Sequence, residues 1–305
     1  MSQHDPNATR RDIIRLSALA VAMIFGCAIA LVGYTWRELN RAEAEQEILL
    51  VQRKVERNLI RLRQETTSAT AWDDAYLKTA DAIDRDWVDG KLAAYYRASF
   101  SHDVTLLFGA AGTLQYAARD GRRTSPTLEA DLAAAIEPTV RRVQAAELRR
   151  RALNVAISPG EDHRIAQKSV VVGADGRAYF VGVAAILPAN GQAFGRHATS
   201  VVVTGRELDA RLLRQLAADL GITALRFTAG DPGPPRVGAV PLVNPEGRAI
   251  GALTWKVKRP GAEALRDLAQ PIALAALLMG LVFAPLAIRV RRLLLDLDEH
   301  DAALR

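Results

Sequence analysis

Apolar and small residues recur at Ile48, Val51, Val55, Leu59, Leu62, Thr66 and Ala69, in the steps of three and four that mark an amphipathic helix. Continuing the rhythm places Asp73 and then Tyr76 on the same inward face. The stretch Trp72-Asp73-Asp74-Ala75-Tyr76 therefore reads as the tip of that helix. A carboxylate and a phenol on a buried face need a partner, either inside the fold or on a ligand. The other side, with Arg41, Glu45, Glu47, Arg53, Lys54, Glu56 and Arg57, mixes signs as a solvated face does. No Pro or Gly lies between Trp36 and Tyr76, so one unbroken helix is expected. The stripe repeats by sevens, which suits packing on the domain body or on a second copy of the chain.

Beyond this helix the period changes. A short helical segment runs from Trp87 through Val88 and Leu92 to Tyr96, with Asp89-Gly90 read as a turn inside it. Val104–Phe108, a turn from Gly109 to Gly112, and Thr113–Ala117 predict a β-hairpin that ends at Asp120-Gly121. Ser125-Pro126 predicts a helix start, and Pro138 a kink or restart before the basic stretch Arg141 to Arg151. Lys168–Val172, Asp175-Gly176 and Tyr179–Val183 predict a second hairpin. Ala189-Asn190-Gly191 opens a loop, and Thr199–Val203 is a further strand. Thr204-Gly-Arg-Glu207 reads as a capping box for a helix that closes at Gly221. Three strands follow, Ile222–Phe227, Ala239–Val243 and Ala249–Val257, the last two joined by an Asn244–Gly247 turn. The pattern predicts an α+β domain: one antiparallel sheet with helices to one side.

Two uncharged runs flank this domain, Leu16–Trp36 and Leu268–Ile288, each 21 residues long. A helix needs about 20 residues to cross a hydrocarbon core of roughly 30 Å, so both runs are read as membrane spans. The first is long for a signal peptide, has no A-x-A site near its end, and carries the interfacial aromatics Tyr34 and Trp36. Arg10, Arg11 and Arg15 precede it, and Arg289, Arg291 and Arg292 follow the second, which places both termini in the cytoplasm. The organisation is then a tail at 1–12, a span at 13–36, an extracytoplasmic domain at 37–268, a span at 269–288, and the start of a signalling helix at 289–305. In a bacterium the central domain is periplasmic. Pro260-Gly261 is a hinge candidate and Pro285 a kink candidate. The net charge of +6 and pI near 9.7 reflect an Arg-rich composition rather than nucleic-acid binding, given that topology. The single cysteine, Cys27, lies in the first run, so the exported domain has neither disulfide nor thiol chemistry.

Trp72-Asp73-Asp74-Ala75-Tyr76 with Asp86-Trp87 beyond it, and Thr254-Trp255 leading to Pro260-Gly261 before the second run, resemble the fourth type of CHASE domain. The resemblance covers roughly 36–270. It implies an extracytoplasmic sensory module of a bacterial receptor with a PAS/Cache-like sheet. Family members are commonly joined to cyclic-di-GMP enzymes with GGDEF or EAL signatures, or to histidine kinases. This chain carries none of those signatures; Asp296 to Leu304 looks like a signalling helix that has just begun.

The candidate ligand-binding residues are Trp72, Asp73, Asp74, Tyr76, Trp87, Tyr116, Lys168 and Tyr179. Asp73 and Tyr76 offer hydrogen bonds to an amine or hydroxyl, or else brace the next segment. Trp87 is a core residue or an aromatic wall. Tyr116, Lys168 and Tyr179 line a PAS-type cavity or face solvent. The Arg141–Arg151 cluster is a solvated face, with an anion site or lipid headgroups as the alternative. His102, His163 and His197 lack metal-ligand spacing, Glu161-Asp162-His163 reads as exposed loop, and no nucleophile elbow, Cys–His pair or phosphate loop occurs. No cofactor, metal, nucleic-acid partner or enzymatic output is expected. The reading is a homodimeric membrane receptor for an unknown small molecule or envelope state, acting on a cytoplasmic output. The alternative is a membrane scaffold whose periplasmic domain binds another protein.

Overall fold

The structure, a computed structural model, describes residues 6–153, 155, 166–173, 175–189, 199–230 and 238–258, with scattered positions between 270 and 289. For most of residues 6–28 the backbone alone is described. Asn190-Gly191, Glu161-Asp162-His163, His197, Pro260-Gly261 and the Asp296–Leu304 segment lie outside the described residues. Two compact units are distinguished, Glu45–Val257 and the combined segments Met1–Ala44 and Lys258–Arg305. Among the described residues no helix is long and apolar enough to cross a membrane. Ten side chains of Leu16–Trp36 and thirteen of Leu268–Ile288 are not among them.

The first helix, α1, runs without a break from Pro6 to Thr67. It stops there, short of the expected end at Tyr76. Thr67, Ser68 and Thr70 turn their hydroxyls onto the carbonyls of Gln64, Glu65 and Thr67, competing with helix continuation. Chain 70–72 then pairs with Leu187: the Leu187 N–H donates to Thr70 O at 2.8 Å, and the Trp72 N–H to Leu187 O at 3.0 Å. The one-turn helix α2 (Asp73–Leu77) follows as a separate element.

Residues 85–100 are helical throughout, as α3 (Arg85–Val88), a π-helical turn (Asp89–Ala93) and α4 (Ala94–Phe100). The Asp89-Gly90 pair is thus absorbed in a widened turn and does not reverse the chain. Asp84 caps this run by accepting from the Trp87 N–H.

Six strands form one antiparallel sheet: β1 (Val104–Phe108), β2 (Leu114–Arg119), β3 (Arg122–Thr124), β4 (Ala166–Val172), β5 (Ala178–Ala185) and β6 (Val201–Glu207), in spatial order β3-β2-β1-β6-β5-β4. Both predicted hairpins are present, β1–β2 and β4–β5. Helix α5 (Ala130–Ala152), entered through a 3-10 turn at Pro126–Glu129, carries Pro138 inside it without a restart. Ser125 stands at the head of that turn, but its hydroxyl meets the Thr127 hydroxyl and caps nothing. Helix α6 (Ala210–Leu220) begins later than expected. Thr204–Glu207 belongs to β6, paired to β5 and β1, and the cap is Asp209, whose carboxylate accepts the Leu212 N–H at 2.7 Å. Gly221, at φ +62°, ends α6 in the left-handed region that favours glycine. The last three strands, β7 (Thr223–Ala229), β8 (Ala239–Val243) and β9 (Ala249–Lys256), make a second sheet in order β7-β9-β8, where a single sheet was expected.

Helices cover both faces of the six-stranded sheet, which corrects the one-sided expectation. Alternate strand residues set the faces. Val104, Leu106, Phe108, Tyr179, Val181 and Val203 pack with Ile136, Val140 and Val143 of α5. Leu107, Tyr116, Ala184 and Val202 pack with Tyr76, Val88, Leu92 and Tyr96 of the short helices. A third cluster joins Val51, Leu59 and Leu62 of α1 to Leu212 and Leu216 of α6 and to Leu225, Val240, Leu242, Leu253 and Trp255 of the second sheet.

Candidate functional site

The predicted site residues separate into three places. Trp72, Asp73, Asp74, Tyr76, Trp87 and Tyr116 gather around the short helices on one face of the six-stranded sheet. Asp73 is not on the buried stripe: it is exposed, and its carboxylate accepts the Ala189 N–H at 2.8 Å, bracing the α2 corner. Asp74 is exposed as well. Tyr76 is buried beside Ala75, as the stripe predicted. Trp72 and Trp87 form a tilted pair with ring centroids 5.3 Å apart, and Trp72 keeps 38% of its surface exposed.

Tyr116 is buried on the same face, and its hydroxyl donates to Asp89 Oδ1 at 2.5 Å. Burial, and then the Asp89 carboxylate, push its phenol above the ordinary tyrosine value. Burial acts to raise the Asp89 carboxyl in turn, but bonds from Arg123 and Tyr116 outweigh it and hold the carboxyl low. Asp89 lies in the π-helical turn, whose wider register places it opposite Tyr116 and Arg123.

Tyr179 lies on the opposite face, toward α5, where its hydroxyl meets Arg119 at 3.2 Å and Glu207 at 3.3 Å. Lys168 pairs with Glu56 of α1. Neither lines a common site with the Trp72–Tyr76 corner. The basic stretch of α5 is ion-paired: Arg141 to Glu137, Arg142 to Glu246, and Arg150 and Arg151 to the fully buried Glu147. Glu47, expected on the solvated side of α1, is buried and accepts the Trp255 indole N–H at 2.8 Å.

A second polar array lies where α1, α4 and β6 meet, and it joins residues distant in sequence. Ser101 ends α4 in the left-handed region, φ +58°, and turns the chain so that His102 enters the interior. The ring is buried and stacks on Tyr96 at 5.7 Å and 15°. Its Nδ1 lies 2.9 Å from Thr204 Oγ1, and its Nε2 lies 3.0 Å from Glu65 Oε2 on the last full turn of α1. Arg61 donates to the other Glu65 oxygen at 2.6 Å. Burial acts to raise the Glu65 carboxyl, but the His102 and Arg61 hydrogen bonds and charges outweigh it and hold the group below its ordinary value. One residue further on, Tyr96 Oη donates to Thr66 O at 2.6 Å. A Cβ on Gly182 of β5 would collide with Thr66 Oγ1 and lie 3.0 Å from Leu62 O, so only glycine lets α1 approach the sheet this closely.

The α2 corner, the Trp72–Trp87 pair and the helix leading into them now stand together, and the sequence profile of the CHASE4 domain matches residues 55–228. The chain belongs to the CHASE4 family. The match spans more than half of its 305 residues, from Val55 in α1 to Thr228 in β7. CHASE4 is a sensory, extracytoplasmic type of receptor domain, and the chain is a sensor-type protein in that sense. The Thr254–Gly261 segment, which contributed to the resemblance, lies beyond the matched residues. A comparison with curated proteins finds no match.

Sequence reasoning gave Glu65 no role, read Asp89 as a turn residue and Thr204 as a helix cap, and considered His102 only as a metal ligand. The partners of His102 lie 37 and 102 positions away, so no local spacing announces them.

Proposed function

We propose that this CHASE4 protein is a membrane receptor whose extracytoplasmic domain reads a small molecule or an envelope state and passes it through two spans to a cytoplasmic output. The observation that carries the reading is the unbroken course of α1, from the uncharged Leu16–Trp36 run to the face of the six-stranded sheet. In this reading Leu16–Trp36 and Leu268–Ile288 are the spans, both termini are cytoplasmic, and the domain is periplasmic. The strand order β2-β1-β6-β5-β4, with β3 added at the edge, supports a PAS/Cache-like core. Leu39, Leu49 and Leu50 are exposed on α1 and suit packing of a second copy there. By family resemblance the output is cyclic-di-GMP signalling or a kinase partner.

Ligand recognition is assigned to the corner formed by Trp72, Asp73, Asp74, Tyr76, Trp87 and Tyr116; Tyr179 and Lys168 are set aside because their partners are elsewhere. A ligand transmits a signal only if it prefers one arrangement of α1 over another. The test is a thermal-melt screen of the full chain in detergent against organic acids, amines and divalent metals. A ligand at about 100 times its Kd stabilises the folded state by about 2.7 kcal/mol. A rise in melting temperature that disappears in Trp87→Ala and Tyr76→Phe supports the corner as the site. Ligand responses unchanged by both substitutions remove it. The scaffold reading draws on the exposed Trp72 and Leu77, and predicts that those variants lose a protein partner instead.

A further inference from the structure

We infer that the Glu65–His102–Thr204 array is a proton-operated latch that holds the last turn of α1 against the six-stranded sheet, making the proton a ligand of this domain. The consequence for signalling rests on the receptor reading above; the latch itself rests on geometry. Histidine is the side chain that ordinarily changes charge between about pH 5 and pH 8. This one is buried with both ring nitrogens engaged, one by α1 and one by the sheet.

Counting protons separates the two charge states. The doubly protonated ring donates from Nε2 to Glu65 and from Nδ1 to Thr204 Oγ1. The Thr204 hydroxyl proton then goes to Val104 O, 3.0 Å away, and every group is used. The neutral ring has one N–H. If it sits on Nε2, the hydroxyl must turn to Nδ1 and Val104 O loses that donor. If it sits on Nδ1, a bare Nε2 lone pair faces the Glu65 carboxylate. Either neutral form also lacks the ion pair, so the protonated ring ties α1 to the sheet through more interactions than the neutral ring does.

The surroundings leave Glu65 as the charged partner of the ring. From α1, Arg61 bonds to the far oxygen of Glu65. From α4, Tyr96 stacks on the ring, Phe100 flanks it, and Tyr95 packs on both. Arg97 reaches the His102 carbonyl at 3.5 Å and is itself paired with Asp103 and Asp120. From the sheet, Thr204 touches the ring, with the neutral hydroxyl of Thr105 3.5 Å behind it. Glu65 is held ionised into mild acid, so the pair survives where the histidine is charged.

The test is hydrogen exchange of amides 62–70 in the full chain, corrected for intrinsic rates, at about pH 5.5 and pH 8, either side of the histidine window. Expected is about fivefold stronger protection at the acid value, the factor that one hydrogen bond of ordinary net worth provides. His102→Gln, which keeps hydrogen-bonding capacity and cannot titrate there, abolishes the difference. Thr204→Ser, which keeps the hydroxyl, preserves it and controls for packing. An equal pH difference in His102→Gln, or no difference in the wild-type chain, overturns the latch. That failure leaves the receptor reading intact, because the ligand screen decides it separately.

Discussion

Between Val51 and Leu62, α1 shares an apolar cluster with α6, the three-stranded sheet and Val170, Ala178 and Phe180 of the six-stranded sheet, whereas at Glu65 and Thr66 it is held by polar groups, Tyr96 and His102, and by the close approach that Gly182 permits. The first kind of contact is non-directional and scales with buried area. The second is directional: the Tyr96 hydroxyl, the His102 ring and the absent side chain of Gly182 each accept one register of the helix. Stability therefore comes mainly from the Val51–Leu62 half of the contact, and position from the Glu65–Thr66 half. A sensor gains from that division, because the element that sets helix position can change state without unfolding the element that supplies stability.

The largest effect expected of any single substitution is in the aliphatic half. Leu216, 3% exposed, sits in the cluster with Val51 and Leu59. Leu216→Ala is expected to cost about 2–5 kcal/mol in denaturant unfolding, the range for large-to-small changes in a core. It should leave the pH dependence of α1 protection unchanged; a variant that loses both would show that the two halves are not separable. Next is Gly182→Ala, which forces α1 off β5 and is expected to cost about 1–3 kcal/mol by overpacking. Thr66→Ala in the same chain removes the colliding Oγ1 and should recover part of that cost, a coupling visible in a double-mutant cycle.

The third prediction uses acid. A carboxyl held below its ordinary value of 4.5 contributes stability that is complete above that value and is lost as pH falls through the lower folded-state value. Urea unfolding from neutral pH down to about pH 3 should show Glu65→Gln lacking that component of the wild-type acid loss. An acid limb identical in slope to the wild type would remove Glu65 from the account.

The two halves also differ in how far they can be read from sequence. The heptad stripe that packs the aliphatic half is visible as Val51, Val55, Leu59 and Leu62, because helix burial leaves a local period. The hairpins β1–β2 and β4–β5 are visible because Gly109–Gly112 and Asp175-Gly176 mark their turns. The end of α1 is not visible. Ala69 and Tyr76 stay buried after the helix stops, so the apparent period continues through a break set by Leu187, more than a hundred residues away. Thr204–Glu207 has the spacing of a capping box, yet strand pairing on both sides overrides it. The division into two sheets depends on which strands pair, and local patterning does not encode that. The Asp73 bond to Ala189 and the His102 array are non-local in the same way: the residue types were in view, but their partners were not.

The smallest effect returns to the aliphatic half and tests how independent it is. Helix α6 has signals of its own at both ends, the Asp209 cap and Gly221 at positive φ. Asp209→Ala is expected to cost about 1 kcal/mol, the ordinary worth of an N-cap. The loss should appear as weaker hydrogen-exchange protection at the start of α6, with no change in amides 62–70. If α6 serves only as a surface for α1, loosening its first turn leaves the register at Thr66 where Tyr96 and Gly182 set it. If protection at 62–70 falls together with α6, the aliphatic contact also positions the helix, and the polar half is a reinforcement rather than the source of register.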